Sequence, residues 1–182
     1  MIVIMGRTAS GKTTVVNHLV QYHGFKQILT WTTRPIRPGE KNTYHFTTEP
    51  DFLYKIRTDF FLEHKKYDTV FGTWYYGSAK EDFEKADDKT IIILTPSGYL
   101  DLLNSIPDIS HKSIYLYSDR STIVKRLRGR GDSDDEAKRR MLADDRDFAE
   151  VESLADRVII NNGKKSIEEI AAEIVNFSEE HV

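Results

Sequence analysis

The chain has 182 residues, 30% of them charged and 39% hydrophobic, with 26 basic side chains against 29 acidic ones and a net charge of −3. That length suits one domain with a real core, and a near-neutral balance gives no basis for a polyanion-binding surface, so no nucleic-acid partner is expected. The lack of cysteine excludes disulfides, thiolate zinc sites and cysteine nucleophiles. No apolar run approaches a membrane span and no leader precedes the first apolar segment, so a cytoplasmic protein is expected.

Met1-Ile2-Val3-Ile4-Met5 is a short apolar run of the kind that forms a strand buried on both faces of a parallel sheet. Gly6-Arg7-Thr8-Ala9-Ser10-Gly11-Lys12-Thr13 then fits the pattern of glycine, four residues, Gly-Lys and a hydroxyl residue. Val15, Val16, Leu19 and Val20 follow at helical spacing ahead of Gly24. Strand, glycine loop and helix in that order make a phosphate cradle. The glycines let successive N–H groups turn inward and the helix dipole adds positive potential. Lys12 is expected to reach the outer phosphates, and the Thr13 hydroxyl to ligate Mg2+. The segment from Gly6 through Thr14 is therefore the expected nucleoside triphosphate site.

Lys26 to Thr33 is rich in β-forming residues and reads as a second strand. It runs into Arg34-Pro35-Ile36-Arg37-Pro38-Gly39-Glu40, where two prolines and a glycine forbid helix or central strand. Tyr44-His45-Phe46 resumes an extended pattern, and Thr48-Glu49-Pro50-Asp51 opens a short helix. Phe60 to Tyr67 and Phe71 to Tyr76 read as paired strands around Asp68-Thr69-Val70, so residues 34–76 form a small mixed insertion on a parallel core.

Ser78-x-x-Glu81, Ser133-x-x-Glu136 and Ser166-x-x-Glu169 are capping boxes that predict helix starts. A helix is also predicted from Ser97 through Leu100, Leu102 and Leu103, and another from about Ser121. Ile91–Leu94, Ser113–Tyr117 and Arg157–Ile160 are predicted core strands. Strands alternating with helices predict parallel crossovers. His23, His45 and His64 show no metal-ligand spacing.

Thr32-Thr33-Arg34-Pro35-Ile36-Arg37-Pro38-Gly39-Glu40 with Tyr44-His45-Phe46 resembles the signature of guanylate kinases. Phe61-Leu62-Glu63, Tyr76-Gly77-Ser78 and Arg126-Leu127-Arg128-Gly129-Arg130-Gly131 are similar to that family's further motifs, in the same order. The resemblance covers Ile2 to about Ala149. It implies an α/β fold: a P-loop NTPase-type parallel sheet flanked by helices (residues 1–33 and 77–182), a monophosphate-binding insertion (34–76) and a helical lid (about 126–146). It implies phosphorylation of GMP by ATP, with Mg2+ and no membrane partner. Arg34, Arg37 and Tyr44 would hold the acceptor phosphate beside Tyr76. Glu63 and Ser78 would face the guanine, with Thr30 where the family usually has serine. Lys12, Arg34, Arg130 and Arg140 would serve phosphoryl transfer, and Arg126, Arg130 and Arg140 would close over the ATP phosphates.

The chain departs from the pattern at four places. The family's Asp-x-Asp is replaced by Ile93 and Thr95, Arg7 stands where proline is usual, and the Glu40–Tyr44 and Glu63–Tyr76 spacings differ. A kinase of altered base range and a non-catalytic guanylate-kinase-like binding module are the alternatives. Thr8–Thr13 also resembles the loop of tRNA dimethylallyltransferases, which lack the Arg34–Glu40 signature.

Overall fold

The computed structural model describes residues 1–37, 40, 43–69, 71–131 and 133–180. Pro38 and Gly39 of the arginine loop, Val70 of the expected turn and Asp132 of the acidic run lie outside the described residues. The chain divides into two units, Met1–Gln27 with Asp88–Ser97 and Ser110–Val182, and Ile28–Asp87 with Gly98–Ile109. The second takes in more chain than the 34–76 segment marked on the sequence.

The first unit is built on a five-stranded sheet. In spatial order its strands are β2 (Lys26–Ile28), β7 (Thr90–Ile93), β1 (Ile2–Met5), β8 (Lys112–Tyr117) and β9 (Arg157–Ile160). β1 pairs in parallel with β7 and β8, and β8 with β9. Central placement explains why β1 is apolar at every position, since both faces of a parallel sheet are covered. Ile2, Ile4, Ile91, Ile114, Leu116 and Ile159 pack with Val15, Val16 and Leu19 of α1 (Lys12–Tyr22) and Ile170, Ile174 and Phe177 of α8 (Ile167–Glu179). Each such side chain contributes about 1.5–3 kcal/mol by leaving water. The Ser166–Glu169 capping box is present in full at the start of α8.

α1 ends where expected: Gly24 adopts φ 73° and the Phe25 N–H reaches back to the Leu19 carbonyl at 3.3 Å. β9 differs from expectation. It lies at the sheet edge, and Val158 and Ile160 are 43% and 46% exposed while Ile159 between them is buried, so one face of the strand is left uncovered. α5 (Arg120–Gly129) starts on Asp119, whose carboxylate accepts from the Thr122 N–H at 2.9 Å. α6 (Asp134–Asp147) has Ser133 as its cap, but the Glu136 carboxylate turns to Arg139 and Arg140 instead of completing the box. A short α7 (Val151–Leu154) precedes β9.

The predicted strand over 26–33 is split. β2 belongs to the large sheet, whereas β3 (Trp31–Thr32) pairs with β4 (His45–Phe46) and β6 (Gly72–Ala79) in the second unit. β-propensity marks both halves as extended but carries no information on which sheet each joins.

The second unit holds a four-stranded sheet ordered β4-β3-β6-β5, with β5 (Phe61–Thr69) and β6 an antiparallel hairpin. α2 (Glu49–Arg57) covers one face, its Thr48 cap accepting from the Asp51 N–H. Phe52, fully buried, stacks on Phe61 with ring centres 4.4 Å apart and lies 5.5 Å from Tyr75. Gly77 sits beneath both rings, and a Cβ there would meet them at 3.0 Å.

Ser78 does not cap a helix. It is a β6 residue whose hydroxyl is spent on Glu63, and α3 (Lys80–Glu84) starts from Ala79 without a side-chain cap. α4 (Pro96–Ser105) begins one residue ahead of the predicted Ser97.

Removing the Phe52 ring leaves a cavity between α2 and the sheet. Phe52→Ala is expected to lower unfolding free energy by about 3–5 kcal/mol, measured by urea titration.

Candidate functional site

In the first unit the glycine loop leaves the C-terminal end of β1 and enters α1 at Lys12. Gly11 has φ 96°, a left-handed conformation, and the Asn161 amide occupies the space a Cβ would need. Ala9 also has positive φ, 55°. These turns point the loop's carbonyl groups backward, and every carbonyl so turned requires a donor. The Lys12 Nζ donates to the Gly6 and Arg7 carbonyls at 2.6 and 2.8 Å. Arg126 donates to the Ala9 carbonyl at 3.2 Å, and the Asn161 Nδ2 to that of Ser10 at 2.8 Å. Arg126 also bonds the Ser118 hydroxyl and the Asn161 Oδ1, and the Ser118 hydroxyl donates to the Ser10 carbonyl at 3.3 Å, so the side chains that brace the loop are themselves linked.

No sequence pattern marks Asn161 or Ser118, since an isolated Asn or Ser after a strand carries none. Ser10 is fully buried, and its hydroxyl has no hydrogen-bond partner among the described residues.

Burial pulls the Lys12 ammonium down to about 8, against the raising field of Asp144 and alongside the lowering field of Arg130. Of the arginines expected to form a lid, Arg126 lies against the loop and Arg130, the C-cap of α5, acts on Lys12 through its charge. Arg140 bonds Glu136 through Nε at 2.7 Å. Hydrogen bonds from Arg139, then Arg140, hold the Glu136 carboxyl down at about 2. Thr13 and Thr14 are exposed on the first turn of α1. No group of three or more His, Asp or Glu side chains that could hold a metal exists among the described residues. The donor set at Thr13 fits magnesium, which takes most ligands from phosphate and water.

In the second unit the sheet face opposite α2 gathers the other candidates. β6 places Tyr76 and Ser78 on that face by alternation, and β5 places Glu63 opposite Ser78 and Lys65 opposite Tyr76. Glu63 belongs there because of a bulge. Phe61 pairs with Ala79 but Glu63 with Ser78, so residues two apart in sequence face opposite sides. Glu63 is 7% exposed and accepts from the Ser78 hydroxyl at 2.6 Å. Burial pushes its carboxyl up to about 7, against the Ser78 hydrogen bond and with the added charge of Asp101, itself paired with Lys65 at 2.5 Å.

Arg34, 4% exposed, lies 5.2 Å from the centre of the Tyr44 ring and 5.6 Å from that of Phe46. Its Nη2 bonds both Glu40 oxygens, at 2.7 and 2.9 Å, and its Nη1 the Pro35 carbonyl. Tyr44 and Tyr76 are 6.0 Å apart, ring to ring. Arg37 is exposed, its N–H on Glu40. Thr30 is half-buried, and its carbonyl accepts from the His45 N–H. Arg34, Tyr44, Tyr76, Glu63 and Ser78 thus share one surface. Ile93 and Thr95 bring no acid, and the Thr95 hydroxyl lies 3.2 Å from that of Ser97.

The guanylate kinase family model matches residues 1–180. The chain belongs to the guanylate kinase family. It is 31% identical to a guanylate kinase of Fusobacterium nucleatum over 99% of this chain and 96% of that one. It is 32% identical to a guanylate kinase of Neisseria gonorrhoeae over 96% and 85%. Its fold matches the crystal structure of guanylate kinase from Anaplasma phagocytophilum with a TM-score of 0.67, 24% identity, and coverage of 97% and 82%. The sequence resemblance to this family is thereby borne out, as is the parallel α/β architecture, and membership makes the chain a nucleoside monophosphate kinase by class. Among the described residues, no helix is long and apolar enough to cross a membrane.

The buried Glu63 makes stability depend on pH in a stated direction. Its folded value is raised from 4.5 to about 7, so its favourable contribution is complete below about pH 4.5 and is lost as pH rises through 7. Glu63→Gln should remove that decline, worth on the order of 3 kcal/mol, from the stability profile between pH 4.5 and 8. Denaturant titrations at each pH check it.

Proposed function

We propose that this guanylate kinase family member transfers the γ-phosphoryl group of ATP to GMP or dGMP, yielding the two diphosphates. The observation that carries the reading is the single sheet face bearing a buried carboxylate at one end and a buried arginine among tyrosines at the other. Guanine presents N–H donors at N1 and N2 to a carboxylate such as Glu63, whereas adenine presents an acceptor at N1. A dianionic phosphate suits Arg34 and Arg37, backed by the Tyr44 and Tyr76 hydroxyls.

The donor would lie on residues 6–14. The bond that forms joins an acceptor phosphate oxygen to the γ-phosphorus, and the bond that breaks joins that phosphorus to the β–γ bridging oxygen of ATP. ADP leaves with the electron pair. The acceptor is already anionic, so no side chain serves as general base. The protein's part is alignment and positive charge around the equatorial oxygens, from Lys12, Arg130 and Arg140. Magnesium, when bound at Thr13, neutralises phosphate charge. A lid of about residues 126–146 would exclude water, which otherwise hydrolyses ATP.

A second reading, a kinase of altered base range, is favoured by Ile93 and Thr95 standing where the family carries acids. A coupled ADP-release assay across GMP, dGMP, AMP, UMP, CMP and dTMP decides between them. The expected result is turnover confined to guanine nucleotides and abolished in Lys12→Ala. Turnover spread over several bases would favour the second reading, and ATP binding without turnover a binding module.

Arg37→Ala is expected to raise the KM for GMP at least tenfold while leaving that for ATP within about twofold. Ionised Glu63 is the form that accepts from guanine, so the KM for GMP should fall as pH rises through about 7. Glu63→Gln should flatten that dependence and narrow the preference for GMP over AMP.

A further inference from the structure

Three acids, Asp144, Asp145 and Asp147, sit in the last turn of α6, where the helix dipole disfavours negative charge. Two of them are turned onto the glycine loop. The Asp144 carboxylate accepts from the Thr8 backbone N–H at 2.6 Å, and Asp145 pairs with the Arg7 guanidinium. Arg120 approaches Asp145 from α5 at 3.5 Å. Lys12, whose ammonium folds back onto the carbonyls of Gly6 and Arg7, feels the charge of Asp144 directly. The groups facing Asp144 are thus Thr8, Lys12 and Arg7, with Asp147 as a like charge. One anion already occupies an N–H of the loop and offsets the charge of its lysine.

We infer that Asp144 is an internal competitor for the donor phosphates, so that ATP binding displaces its carboxylate from the glycine loop and releases the end of α6. The inference rests on the assignment of ATP to this loop. A triphosphate brings three to four negative charges toward the place where Asp144 stands, and the two cannot share Lys12 at full strength. There is room for the displaced group: a cavity of about 680 Å3 lined by Arg7, Tyr115, Met141, Asp144, Asp145 and Phe148 adjoins it. Arg7 and Asp145 form the second half of the latch, and they tie α6 to the same loop.

Asp144→Asn keeps the size of the side chain and an oxygen for the Thr8 N–H but removes the charge. Calorimetric titration of Mg-ATP, without acceptor, is expected to show three- to tenfold tighter binding than the native chain, with the KM for GMP unchanged. Unchanged or weaker ATP binding would overturn the inference and make Asp144 a brace of the loop. The native chain offers a second reading that needs no variant. The carboxyl carbon resonance of Asp144 should shift on addition of Mg-ATP, and a resonance that stays in place at saturation would equally overturn it. Failure of the donor assignment itself looks different, because the native chain then shows no ATP binding to compare.

Discussion

A loop that turns its N–H groups forward must turn its carbonyl groups back, and buried carbonyls without donors would make such a loop too costly to keep. The carbonyls of Gly6, Arg7, Ala9 and Ser10 all find donors: Lys12 from the loop's own helix, Arg126 from α5, and Asn161 from the segment after β9. Elements distant in sequence therefore converge on eight residues because backbone polarity demands it. The central strand serves the same end. Its burial on both faces fixes the point at which Gly6 leaves the sheet, and a Cβ at Gly6 would press on the Leu116 carbonyl of the neighbouring strand at 2.9 Å.

The second unit solves a different problem, that of keeping a carboxylate and a guanidinium under cover without strict ion pairing to each other. Arg34 is satisfied by Glu40 and the Pro35 carbonyl and shielded by Tyr44 and Phe46. Glu63 has one hydroxyl, from Ser78, and a negative neighbour in Asp101, so burial dominates and raises its pKa. A carboxyl poised near neutrality on a surface otherwise rich in aromatic rings is a polarised element. It is stabilised by a ligand that offers N–H groups and is left costly by one that does not.

Negative charge reaches the glycine loop from α6. Ile93 and Thr95, where the sequence resemblance implies an acid pair, are neutral, while Asp144 and Asp145 bring carboxylates to the loop from α6. Arg7 takes part in this arrangement by pairing with Asp145, beside the Thr8 N–H that Asp144 accepts from. The two features are coupled by contact.

Residue order alone settled the parts governed by local chemistry. The apolar run, glycine spacing, Gly24 stop and Ser166–Glu169 box act over a few residues, so β1, the phosphate loop, α1 and the start of α8 were legible, and the arginine signature pointed to the family. Tertiary pairing decided the rest. Whether Ser78 caps a helix or serves Glu63 depends on the strand opposite it, and whether Glu63 faces the site or the core depends on one bulged residue. The break between β2 and β3, the exposed face of β9, and the bracing by Asn161 and Asp144 likewise depend on partners 40 or more residues away, in contacts that no periodicity records. Sequence patterns report which side of an element is apolar; only the assembled sheets determine what lies across from it.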